Sequence, residues 1–87
     1  MTAEEFLERA AGVVARRRRE YGEPADLFRD IAKRWSLVLG VEVSPAQTVL
    51  CMLDVKMARL TREPRHADSI TDVAGYSSVL WEVTRDA

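Results

Sequence analysis

Two cations in the second half of the chain have the spacing of a phosphate-binding pair. Lys56 and Arg59 are three residues apart, so on a helix they project from one side, one turn apart. An ammonium and a planar guanidinium in this arrangement can clamp phosphate groups. The alternative is that both side chains only cover apolar surface with their aliphatic stems. We predict the clamp, because the flanking residues are almost all apolar.

Two carboxylates and a phenol follow at intervals of four residues and share one face of the next helix. Asp68, Asp72 and Tyr76 could hydrogen-bond to the sugar or base of a nucleoside, or ligate a metal. Asp68 is also favoured simply because it lies near a helix start, and Asp72 has capping-box spacing from Ser69. His66 is a further candidate ligand, although a lone loop histidine is more often plain surface.

Start and stop signals in the sequence predict four helices that position these groups. We expect them to run from about residue 3 to Tyr21, from Pro24 to Gly40, from Pro45 to about Arg62, and from the capping pair at Ser69 to near Thr84. The turn around Pro64 folds the last two helices back on each other, so cations and carboxylates face one another near it. The predicted fold is all-α, a compact bundle of four helices in a single domain over residues 1–87.

The third predicted helix is apolar on two sides. At about 100° per residue, one stripe is opposite a second, smaller one formed by Cys51, Val55 and Ala58, with Met52 beside it. The first stripe comprises Ala46, Val49, Leu50, Leu53, Met57 and Leu60. We predict that the second side contacts another copy of the chain in a homo-oligomer; the alternative is that this helix is central in its own bundle. Trp35 and Trp81 are both predicted to lie in the core.

Composition narrows the possible functions. The chain has 87 residues and a net charge of −1, so no general electrostatic attraction to nucleic acid or membrane is expected. No apolar run approaches the roughly 20 residues that span a bilayer. The acidic start Met-Thr-Ala-Glu-Glu is unlike a secretion signal, and Cys51 is predicted to be a buried, inert thiol. A cytoplasmic protein is expected.

Three short motifs in fixed order resemble a group of small phage and prophage proteins related to nucleotide-modification-associated helical domains. The motifs are Tyr-Gly near the end of the first helix (Tyr21), Lys-x-x-Arg (Lys56 to Arg59), and an acid-Ser-x-x-Asp helix that ends in Tyr (Asp68 to Tyr76). The resemblance implies a nucleotide-related role, in the cytoplasm of a bacterial host if the protein is phage-encoded. It adds Tyr21 to the candidate ligand-binding residues.

A more distant resemblance is to the all-α MazG-like nucleoside triphosphate pyrophosphohydrolases, which hold Mg²⁺ with two acidic pairs. Asp72 matches the final acid of that pattern. The acid before it falls at Ser69, and Asp68 beside Ser69 is a substitute for it. Lys56 and Arg59 fall where the first acidic pair is expected, a change that removes metal ligands and introduces phosphate partners. If the chain is such an enzyme, Asp68 and Asp72 would bind Mg²⁺, with Asp54 or Glu20 as possible helpers.

Three functions therefore stand as hypotheses. The first is a binding module without a cofactor or metal, which holds a nucleotide or a nucleotide-derived signal and either sequesters it against host defence or serves phage nucleotide metabolism. The second is a Mg²⁺-dependent nucleotide pyrophosphohydrolase. The third is a protein-interaction module without a small ligand. Neither a membrane nor a nucleic acid is expected as a partner.

Overall fold

Four helices make up the fold, as predicted. The structure, a computed structural model, describes residues 1–85. Its helices are α1 (Ala3–Tyr21), α2 (Pro24–Leu39), α3 (Pro45–Arg62) and α4 (Ala67–Arg85). No strand occurs within residues 1–85, and in that range no helix is long and apolar enough to cross a membrane.

The helix ends follow from capping residues. Thr2 with Glu5 and Ser44 with Gln47 form complete capping boxes at the starts of α1 and α3. Gly40 ends α2 in the left-handed conformation, with φ 72° and ψ 18°. Gly22 ends α1 where predicted, but its φ of 87° and ψ of −167° are outside the left-handed helical region.

The start of α4 differs from the prediction. His66 precedes the helix, and its Nδ1 accepts a hydrogen bond from the backbone N–H of Ser69 at 3.2 Å, as a capping side chain does. Ser69 is therefore inside the first turn, where it is buried, and it does not cap the helix. The predicted capping pair of Ser69 and Asp72 is wrong, because an imidazole nitrogen takes that role.

The core is small and lies between α2, α3 and α4. Its buried members are Phe28, Val49 and Val79, and partly buried apolar side chains surround them. Val49 of the first predicted stripe of α3 is fully buried and faces the core, but Leu50 and Met57 of the same stripe are each 48% exposed. Met52, predicted on the opposite side, packs against the core instead. The most extensive packing is between α3 and α4, whereas α1 packs mainly on α4.

Two residues predicted to be buried, Trp81 and Cys51, are exposed. Trp81 is 60% exposed, with the Arg85 guanidinium 5.1 Å from the centre of its ring. It follows Tyr76 by five residues, which turns it about 140° away from the buried side of α4. Val38, at the end of α2, and the Cys51 thiol are also exposed, because no element covers them. The sequence predictions for Trp81 and Cys51 are therefore wrong.

The bundle is less compact than predicted. Its radius of gyration is 13.8 Å, whereas a chain of this length is expected to have about 12 Å. Since α1 is attached mainly through α4, a cleft remains between α1, α2 and α4.

Candidate functional site

The cleft between α1, α2 and α4 has a volume of about 300 Å³. Most of its wall is apolar, and residues from α2, α3 and α4 contribute to it, including Phe28, Trp35, Met52 and Val79. A largely apolar concave site with a few polar groups is typical of small-molecule pockets. The cleft is therefore the candidate binding site.

Asp72 joins two cations at this cleft. Its Oδ2 lies 3.0 Å from Nζ of Lys56, and its Oδ1 lies 3.4 Å from Nη1 of Arg17. The Lys56 and Asp72 side chains are only 13% and 17% exposed, so solvent screens their interaction weakly. Three helices thus meet at one carboxylate, and the cluster carries one more positive charge than negative.

The turn between α1 and α2 brings Tyr21 and Glu23 to the cleft. Gly22 has a positive φ of 87°, which lets the chain reverse direction before Pro24 starts α2. Arg18 stabilises this turn and links it to α4, because its guanidinium donates hydrogen bonds to Glu23 and to Glu82 of α4. The hydrogen bond to Glu82 is the main cause that raises the pKa of Arg18 above its ordinary value.

Tyr76 and Gly75 shape the α4 side of the cleft. The Tyr76 ring meets Phe28 edge-on, with ring centres 6.1 Å apart. A β-carbon on Gly75 would meet only the Val14 side chain, at an ordinary contact distance of 3.8 Å. Gly75 therefore makes no close backbone contact, and its missing side chain adds space to the cleft.

The structure brings some of the predicted site residues together and separates others. Tyr21, Asp72 and Tyr76 line the cleft. Lys56 does not line it, but forms an ion pair with Asp72. Arg59 and Asp68 are exposed and do not line the cleft, and His66 is engaged at the start of α4.

Arg17 is a cleft residue that was not singled out from the sequence. The sequence signal is the run of arginines from residue 16 to residue 19, which favours a solvated helix end and leaves open that one or two of them reach a site near Tyr21.

The acidic residues do not form a larger group. Within residues 1–85, no three side chains of His, Cys, Asp or Glu come together in a way that could hold a metal ion. The candidate Mg²⁺ ligand Asp72 is engaged by two cations, while Asp54 and Glu20 are exposed on other helices.

Comparisons with known proteins give relatives in phages. A family model described as "Domain of unknown function (DUF6378)" matches residues 5–84. The Gene 55 protein of Mycobacterium phage D29 is 37% identical over 79 residues, which are 90% of this chain and 52% of the relative. The Gene 55 protein of Mycobacterium phage L5 is 32% identical over 80 residues, 91% of this chain and 47% of the relative.

The chain thus spans about half the length of these curated relatives. No solved structure matches it. The predicted similarity to phage proteins is confirmed, and the relation to MazG-like enzymes stays a prediction.

Proposed function

We propose a ligand-binding function for this chain, which belongs to the family described as a domain of unknown function (DUF6378). The ligand is a nucleotide or a nucleotide-derived molecule, and its site is the cleft between α1, α2 and α4. One observation carries the proposal: the aromatic and apolar wall of the cleft adjoins an ion cluster with excess positive charge, in which Arg17 and Asp72 line the cleft and Lys56 pairs with Asp72.

The base would occupy the apolar part of the cleft. Phe28, Trp35 and Tyr76 offer aromatic surfaces, and planar rings pack on such surfaces in stacked or edge-on arrangements. The Tyr76 and Tyr21 hydroxyls can hydrogen-bond to a base or sugar. The volume of about 300 Å³ is at the small end of the range for ligand pockets, so a single nucleoside unit fits better than two.

The phosphates would interact with Arg17 and Lys56. These cations share one carboxylate, so the cluster can accept a further anion. Arg59 follows Lys56 by one turn on α3 and extends the positive surface into solvent. Contributions of Asp68 and His66 to binding remain predictions, since neither lines the cleft.

The relatives suggest a biological setting. Because the similar proteins come from mycobacteriophages, we propose that this protein acts in the host cytoplasm. There it would either sequester a nucleotide signal of host defence or serve phage nucleotide metabolism.

A protein-interaction module is the second candidate, favoured by exposed apolar side chains at the end of α2. Leu37 and Val38 there are 85% and 83% exposed. Enzymatic pyrophosphohydrolysis is the third candidate and requires Mg²⁺.

Nucleotides are expected to stabilise the protein, with or without Mg²⁺. A ligand at 100 times its dissociation constant adds about 2.7 kcal/mol to the free energy of unfolding, and for a domain of this size that raises the melting temperature by roughly ten degrees or more. The measurement is a thermal-shift screen of mononucleotides, dinucleotides and cyclic nucleotides, in EDTA and in Mg²⁺. Stabilisation that disappears in EDTA would favour the enzyme, and the absence of any shift would contradict the proposal.

Removing the Arg17 side chain is expected to weaken nucleotide binding more than removing that of Arg59. Arg17→Ala should cost roughly 1.5–3 kcal/mol of binding energy, the range for a hydrogen bond to a charged group. Arg17→Lys should restore only part of it, because an ammonium lacks the bidentate fork. Titration calorimetry on Arg17→Ala and Arg59→Ala makes the comparison. A larger loss for Arg59→Ala would place the phosphates on the solvent side of α3, as predicted from Lys56-x-x-Arg59 alone.

A further inference from the structure

We infer that a second copy of this chain docks on the outer face of α3, with the two α3 helices crossing antiparallel at Ala58. The outer face is defined here by five exposed residues, Asp54, Val55, Ala58, Thr61 and Arg62. It is separate from the cleft, so this inference does not depend on nucleotide binding.

The chain exposes more surface than a compact monomer of its mass. The folded chain exposes 6406 Å². A compact monomer of its mass, 9.8 kDa, is expected to expose about 5,200 Å². Part of this excess of about 1,200 Å² per chain lines the cleft between α1, α2 and α4. The rest is surface that a homodimer can cover, and a standard interface needs about 800 Å² from each partner.

The outer face is on the side of α3 opposite to the core. Ala58 follows the fully buried Val49 by nine residues, which at about 100° per residue is half a turn of the helix. Packing of α3 on α4 and α2 leaves this side uncovered. Val55 is 45% exposed here, and the small side chain of Ala58 allows another helix to approach closely.

Charges on the outer face complement a second copy of the same face. Asp54 and Arg62 are each four residues from Ala58, on opposite sides of it. Neither has an ion-pair partner within residues 1–85. A two-fold rotation about Ala58 places Asp54 of each chain against Arg62 of the other. The same rotation sets Val55 against Thr61, as an isologous contact requires.

Sedimentation velocity of the full chain at micromolar concentration tests the dimer and its location. We expect the wild type to be dimeric and Val55→Asp to be monomeric, because the contact would then have to desolvate a carboxylate in place of an apolar side chain. Val38→Asp is the matched control, since Val38 is an exposed valine on α2. Circular dichroism reports whether each variant is folded. A monomeric wild type, a dimeric Val55→Asp or a monomeric Val38→Asp would overturn the inference.

A charge-reversal pair tests the antiparallel register. Asp54→Arg and Arg62→Asp should each raise the dimer dissociation constant roughly tenfold or more, because like charges then meet across the interface. The double variant should restore most of the wild-type value. Since the two positions are eight residues apart in one helix, they cannot pair within a chain. Rescue therefore supports the crossing at Ala58, and additive losses without rescue would refute it.

Discussion

Replacing Gly75 with leucine is expected to abolish nucleotide binding while the four helices remain folded. Gly75 lines the cleft next to Tyr76, and a β-carbon there has room, with only Val14 at 3.8 Å. A leucine would extend beyond that point into the space proposed for the base. We expect the dissociation constant to rise by at least about a hundredfold, which corresponds to about 2.8 kcal/mol. Titration calorimetry with the nucleotide found in the thermal-shift screen measures it.

Gly12→Leu provides the matched control. Gly12 is also a helical glycine, but a β-carbon there meets nothing within 4 Å, so leucine would extend into solvent. Both substitutions improve helix propensity by roughly 1 kcal/mol relative to glycine. Gly75→Ala completes the series, since a single methyl group should preserve the fold and reduce binding only partly. Wild-type affinity in a folded Gly75→Leu protein would contradict the cleft as the ligand site.

Helix ends were largely predictable from the sequence because capping is local. Ser44 followed by Pro45 fixes the start of α3 through groups within three residues, and Gly40 ends α2 by its own backbone conformation. The start of α4 was mispredicted because Ser69 is the commoner capping residue type. His66 takes the role there, and residue frequencies alone do not indicate it.

Which side of a helix is buried was harder to predict, since periodicity does not reveal which neighbours exist. The pattern of α3 separated the buried Val49 from the exposed Val55, but Leu50 and Met57, predicted on the same side as Val49, are each 48% exposed. Leu37, Val38 and Trp81 lie where no other helix packs, and nothing local in the sequence shows that. Their exposure depends on which helices pack against one another, which is a tertiary property.

In the candidate site, the contacts between α3 and α4 could be predicted from the sequence, whereas the contact with α1 could not. Spacing placed Asp72 and Tyr76 on one face, and the turn at Pro64 predicted that cations of α3 face carboxylates of α4. The Lys56–Asp72 ion pair of 3.0 Å confirms that second prediction. The contact of Arg17 with Asp72 joins residues 55 positions apart, so no local pattern contains it.

Replacing Asp72 with asparagine is expected to lower the free energy of unfolding by about 2–3 kcal/mol, because it leaves two cations without their shared counter-ion at a partly buried position. Adding Lys56→Met should recover much of that loss, since the weakly exposed lysine charge is then also removed. Asp26→Asn is the control, as Asp26 pairs with Arg29 at the surface, where such pairs contribute less than about 1 kcal/mol. Urea denaturation measures all four proteins. Equal losses for Asp72→Asn and Asp26→Asn would show that the cluster is not specially stabilising.

The same Asp72→Asn variant is expected to bind nucleotide more tightly, even though it is less stable. In the wild type, the carboxylate oxygens of Asp72 occupy the positions beside Lys56 and Arg17 that phosphate oxygens would take. Without that negative charge, both cations are free for the ligand, and the affinity for a phosphate should rise roughly tenfold. Inorganic phosphate serves as the second ligand, since it has no base or sugar. If nucleotide affinity falls while phosphate affinity is unchanged, Asp72 hydrogen-bonds to the nucleoside, as its spacing from Tyr76 predicted, and the phosphates lie elsewhere.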